Sequence, residues 1–468
     1  MNQQNFDNKH PIADLIFEYE AMSQKGTVDF VEETVFEKLI DYFQKKCSYE
    51  KALEIVNHAL TQHHFSANFY LRKAKLLLAL QKSESAADYL ARAEQFAPNS
   101  LDASLVRAEL YCSQGRYDEA LALLLAARAE ASSGEMGEVY IFEAHVYECQ
   151  EDFGRMFSAL KNALLLLPHS AEALEKMWLC TELSGRYEES IELHKHLIDV
   201  HPYSHIAWYN LGHAYCCMGD YEQAIDAYEY AFVINDKFEF AYRDCAAAYW
   251  ETKQYQKALH CYLEAAAHSE PDCDLLVRTG QCYEKVGQPQ TARRYLAKAI
   301  HIDPLQAEAH FALGESFAQE EKWTSAVSCY ERALDLESRH EEYHAGIAKA
   351  HWKAGNLEKA KEFFGKAADT APELSEYWIA YALFLLHTEG CAAAIEVLDE
   401  AEMYTFGAEL TYCRAACYFH AKRRSKALAA LGEALEEGFE AHEQLFEMLP
   451  ALRKDHKVLA IIAFYQPF

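Results

Sequence analysis

Long apolar runs are missing from this chain of 468 residues, and so is any excess of positive charge. Its hydrophobic stretches are interrupted well before the roughly 20 residues that a membrane-crossing helix needs. The opening stretch, MNQQNFDNKHPIADL, lacks the basic-then-apolar pattern of an export leader, which gives a cytoplasmic location as the expectation. Asp and Glu number 73 against 44 Lys and Arg, a net charge of −29. Such a surface repels phosphate, which argues against nucleic acid or anionic membrane as a partner. The 14 cysteines form no CxxC pair, and several (Cys149, Cys245, Cys282) fall on apolar helical patterns, where a free thiol acts as a small hydrophobe. Neither a glycine-rich phosphate loop nor a GxSxG elbow is present.

What the chain does have is a repeat of 34 residues. Units begin at 33, 67, 101, 137, 171, 205, 239, 273, 307, 341, 375 and 408, with one longer step before 137 and one shorter step before 408. The twentieth position of each unit is Ala in ten of the twelve, with Met156 and Ser190 as exceptions. The twenty-seventh is Ala in all but one, Leu197. Gly or Ala recurs at the eighth position (Gly212, Gly280, Gly314), and aromatics recur at the eleventh (Phe43, Tyr215, Tyr249, Phe317). Two antiparallel helices pack closely only where the side chains at their crossing are small, so the eighth and twentieth columns mark that crossing. Gly115, Gly185, Gly219, Gly287 and Gly355 fall where the first helix must end. Pro98, Pro168, Pro202, Pro304 and Pro372 share the thirty-second column and stop the second helix. A single pair of helices cannot bury its own apolar face, so neighbours must stack.

The set Trp208, Leu211, Gly212, Tyr215, Ala224, Tyr228 and Ala231 resembles the tetratricopeptide repeat signature. The resemblance covers residues 33–441. It implies an all-α, right-handed superhelical solenoid of about twelve helical hairpins, with the first helices lining a concave groove. Residues 1–32, carrying Ile12, Leu15, Ile16 and Tyr19 at helical spacing, are expected to cap one end. Residues 442–468 are expected to cap the other, with a last helix bearing Val458, Leu459, Ile461 and Ile462. The segment from Phe446 to Tyr465 is similar to the closing part of long cytosolic tetratricopeptide proteins of Bacteroidetes bacteria. The unit at 171 departs most from the signature, with Trp178, Ser190 and Leu197 at its small positions; a kink or a partner contact is expected there.

Two constellations suggest chemistry. The segment His340, Glu341, Glu342, Tyr343, His344 matches HExxH, in which two histidines one helical turn apart hold zinc and a glutamate activates water. In the repeat register, however, it straddles a hairpin connection, so a metal-dependent hydrolase is the weaker reading. Cys413, Cys417 and His420 share one helix face, yet seven residues of helix rise about 10 Å, too far for both ends to reach one ion. No catalytic, cofactor or metal residue is assigned.

The groove remains. The resemblance implies ligand-facing residues at the second, fifth, sixth, ninth, twelfth and thirteenth positions of each unit. These give Tyr209, Asn210 and His213, then Phe240, Arg243 and Trp250, then Arg278 and Gln281, then Phe311 and Glu315, and finally Lys349 and Trp352. Over the six units from 205 to 407 those positions carry a net charge of only −3, so most of the acidity lies elsewhere. Aromatics beside arginines suit the anchoring of a protein or peptide segment, although some of these aromatics can pack between units instead. The clamp with which chaperone-adaptor relatives hold a C-terminal carboxylate does not fit, because Phe240, Asp244 and Asp274 stand where it needs Asn or Lys. The expected function is a non-catalytic scaffold that binds a protein segment, with self-association into a homo-oligomer as the alternative.

Overall fold

The structure, a computed structural model, describes residues 12–24 and 30–466. Most of the stretch read as leaderless lies outside them. Every regular element among the described residues is a helix. The chain divides into two compact units, Met1–Ala241 and Tyr242–Phe468. In each, helices pack in consecutive antiparallel pairs, and the first helices of successive pairs also touch.

The hairpin at 205 shows how the sequence dictates this. Ser204 ends the preceding connection, and its hydroxyl accepts the Ala207 N–H (3.3 Å), opening helix His205–Cys217. That helix stops at Gly219, whose φ of +77° lies in the left-handed region. There the Asp220 N–H reaches back to the Tyr215 carbonyl (3.0 Å). Asp220 then caps helix Tyr221–Ile234 by accepting the Gln223 N–H. The same left-handed turn recurs where no glycine is available, at Cys47, Gln81, Glu151, Lys253, Glu321 and Lys422. Hairpin packing imposes this conformation; glycine only makes it cheaper.

The small columns are where the register puts them. Every residue of the twentieth column is buried, and the eighth column faces a large side chain at the twenty-fourth, as in Gly212 under Tyr228, Gly280 under Leu296 and Gly314 under Tyr330. Around the eleventh column, cations from the second helix lie over the rings: Arg116 over Tyr111 (4.3 Å), Lys257 over Tyr249 (5.0 Å) and Arg293 over Phe317 (4.9 Å). A third device closes the connections. The fourth-position rings of Tyr70, Trp208, His310 and Trp378 reach the carbonyl six residues upstream, on His64, Pro202, Pro304 and Pro372.

Departures from the pattern have local causes. The longer step before 137 becomes an extra turn on helix Ser133–Cys149, opened by a capping box between Ser132 and Glu135. Along that helix Glu143 is buried, and Arg128 donates to both of its oxygens (3.0 and 3.1 Å). In the unit at 171 the interior is filled by a polar chain. Thr181 Oγ1 meets Ser190 Oγ (3.0 Å), and His194 Nδ1 donates to the Ser190 carbonyl (2.7 Å). Asn210 Nδ2 lies 3.2 Å from His194 Nε2 and donates to the Leu174 carbonyl (2.8 Å). Burial lowers the His194 imidazole to about 4 and keeps it neutral.

At the ends, helix Ile12–Gln24 buries Leu15 and Tyr19 on the first hairpin, and helix His456–Tyr465 buries Val458 and Ile462 on the last. All cysteines are free; Cys245 and Cys282 are buried, whereas Cys149, expected inside, is exposed. Among the described residues no helix is long and apolar enough to cross a membrane.

Candidate protein-binding cleft

First helices of the unit Tyr242–Phe468 leave a cleft of about 360 Å³. It opens because the sixth position is small on three successive helices, at Ala312, Gly346 and Ala380, with Ala345 beside them. Without long side chains at these places, the flanking residues stand around a hollow. Trp250 and Tyr377 form its aromatic walls, and Phe311 lies in the floor. Phe311 is held between Tyr330 and Tyr343, with ring centroids 5.3 and 4.9 Å away. A Cβ on Gly346 would come within 3.1 Å of the Phe311 ring, so the glycine preserves the floor.

Charge gathers around this hollow. Four carboxylates (Glu284, Glu315, Glu342, Glu376) face two lysines, Lys285 and Lys349. Glu284 is only 6% exposed; its Oε1 accepts the Gln319 amide (3.1 Å), and the Lys285 ammonium stays 4.0 Å off. Burial, and then the neighbouring Glu315, raise the Glu284 carboxyl to about 7. Glu315 in turn accepts the Tyr330 hydroxyl, and partial desolvation raises the carboxyl of Glu342, which stays exposed at the rim.

The twelve residues expected in the groove do not share one place. Trp250, Gln281, Phe311, Glu315 and Lys349 line this cleft together. Arg278 and Gln281 both bond the Glu308 carboxylate along its edge (3.2 and 2.9 Å), while Arg243 pairs with Asp272 (2.7 Å). Trp352 packs instead on Phe384 (5.5 Å) and Phe364 (6.2 Å), as filling between hairpins.

In the other unit, Asn210 corrects the expectation. It is 1% exposed and its amide serves the buried chain to His194, because the sixth position there turns onto the preceding helix. Tyr209 is likewise buried against Tyr228 and Phe238. His213 is half-buried, edge-on to Trp178 (5.5 Å), and Phe240 is 55% exposed. Glu284 and Glu342 stand in the ligand-facing columns, at the twelfth and second positions of their units, whereas Tyr377, at a third position, falls outside those columns and was missed. The signal available was the small sixth column, which tells where the wall recedes.

The HExxH residues are placed apart in role. His340 precedes helix Glu341–Lys353 as its N-cap and stacks on Tyr343 (4.0 Å). His344 sits at the fourth position, the column of Trp208 and Trp378, and its buried ring faces Phe363 (5.9 Å). Cys413 and Cys417 are fully buried, and His420 packs against His387 (5.8 Å). Among the described residues no three His, Cys, Asp or Glu side chains gather closely enough to hold a metal ion.

Comparison with known proteins finds the same repeat family. Models described as tetratricopeptide repeat match residues 205–238, residues 317–384, and residues 48–135 with 277–340. Among solved structures, a tetratricopeptide repeat protein from Parabacteroides merdae is similar over 52% of this chain and 98% of its own, at 15% identity and a TM-score of 0.43. The Cut9–Hcn1 hetero-tetramer of the APC/C is similar over 90% and 92%, at 14% identity and a TM-score of 0.41. YrrB, described as a TPR protein with an unusual peptide-binding site, is similar over 39% and 95%, at 22% identity and a TM-score of 0.33.

Proposed function

We propose that this chain, which is a tetratricopeptide repeat protein, is a non-catalytic scaffold that holds an extended or helical segment of a partner protein in the cleft of its unit Tyr242–Phe468. The observation that carries this reading is the convergence of first-helix residues from successive hairpins on one hollow with aromatic walls and a small-residue floor. Aromatic anchors beside polar groups on rigid helices are what a segment needs to bind without heavy ordering cost. Lys349 supports the reading too: it is exposed at the rim of the cleft, where its ammonium can meet a polar group of a bound segment.

Selection of a random displayed-peptide library on the immobilised full chain tests this. Synthetic copies of the selected peptides should bind the native chain and lose about tenfold in affinity, near 1.4 kcal/mol, when Trp250→Ala removes one wall. Helical circular dichroism should stay unchanged, since Trp250 is half-buried and packs edge-on to Tyr255. Selected peptides indifferent to Trp250→Ala and Tyr377→Ala would place the binding surface elsewhere.

A further inference from the structure

We infer that the cleft takes a basic side chain, the guanidinium or ammonium head of an Arg or Lys on the bound segment, with the buried Glu284 carboxylate as its counter-ion. This rests on the reading above, and names the chemistry of what enters.

Three observations lead here. Glu284 lines the hollow, is almost wholly buried, and has one oxygen supplied by the Gln319 amide. Its other oxygen, Oε2, accepts no hydrogen bond from any described residue and still reaches the solvent of the cleft, so it is available to a ligand. The charges that act on it are Glu315 from the neighbouring helix, which repels it, and Lys285 on its own helix, too far for a close pair. The protein therefore builds a pocket with more carboxylates than ammoniums and leaves one oxygen of Glu284 without a protein partner. Second, the aromatic walls, Trp250 and Tyr377, present ring surface to the same space, a setting that attracts cations. Third, the mixed lining, apolar at Phe311, Ala312 and Gly346 and acidic at Glu284 and Glu342, suits a long side chain with an apolar stem. The stem can lie on Phe311 and the small floor while the head meets Glu284 and Glu342.

Capture of a cation favours ionised Glu284, so binding releases a proton when the free carboxyl is partly protonated. Affinity is then full above about pH 7 and declines as the pH falls, since the proton competes with the basic head.

The test uses the same selected peptides and the full chain. Peptides that depend on Trp250 should carry an Arg or Lys whose replacement by citrulline or norleucine weakens binding roughly tenfold. The native chain should bind them more weakly at pH 6 than at pH 8, and Glu284→Gln should flatten that dependence. Glu342→Gln, at the exposed rim, gives a second reading if Glu284→Gln misfolds; it should also weaken the basic peptide relative to its neutral analogue. Trp250-dependent peptides that lack a basic residue, or that tolerate its neutralisation, overturn the basic-anchor assignment and leave the cleft standing. If no selected peptide depends on Trp250 or Tyr377, both fail.

Discussion

Gly212 lies so close beneath Tyr228 that a Cβ on it would stand 2.7 Å from the ring's Cδ1. Tyr228 is 1% exposed, so the ring cannot withdraw without disturbing what packs around it. Gly212→Ala should therefore cost about 1–3 kcal/mol through overpacking. A urea midpoint indistinguishable from the native chain's would show that the ring has room to shift.

The left-handed turn at Lys253 makes the opposite prediction. Its φ of +59° strains a side-chain-bearing residue, and nearby hairpins use glycine at that place. Lys253→Gly should stabilise by roughly 0.5–1 kcal/mol, the relief of strain exceeding the added freedom of the unfolded chain. An unchanged or lower thermal midpoint would count against a strained turn.

Removing Arg128 exposes the cost of the lengthened helix. Glu143 is 8% exposed and takes both of its hydrogen bonds from that guanidinium. Arg128→Met should lose roughly 1–3 kcal/mol, and Arg128→Met with Glu143→Met should recover part of it. No recovery in the double variant would mean that the pair is not coupled.

Acid and alkali should act on the two units differently. His194 has its folded value depressed to about 4 from 6.5, so the unfolded chain takes up the proton first. Its contribution is complete above pH 6.5 and is lost as the pH falls toward 4. Glu284 has its folded value raised to about 7 from 4.5, so the folded chain binds the proton more tightly. Its contribution is present below pH 4.5 and lost as the pH rises through 7. Hence Glu284→Gln should stabilise by roughly 1–3 kcal/mol at pH 8, with the gain vanishing below about pH 4.5. His194→Gln should flatten the acid limb. Parallel pH curves for native and variant chains would remove either assignment.

Much of the fold was legible because each column has a single steric duty. Alanine at 224 or 258 can mean little else than a helix crossing, and hairpin starts follow from Ser204 and Asp220. The cleft was legible only in part. Periodicity assigns a residue to a face but not to a depth, so Asn210 and Trp352 shared columns with truly open positions while their neighbours covered them. Whether a first-helix residue is free depends on the size of the side chains on the adjoining helices. At Gly346 and Ala380 these are small; around Asn210 the space is taken by His194.

The opposition of columns eight and twenty-four bears on how such hairpins are recognised at all. Where Gly212 meets Tyr228 a glycine in one column is matched by a bulky ring in the other, and Leu296 and Tyr330 repeat the match over Gly280 and Gly314. A profile that scores columns independently treats each such pair as two unrelated choices. Scoring the two columns jointly, by their summed volume, would register the pair as one.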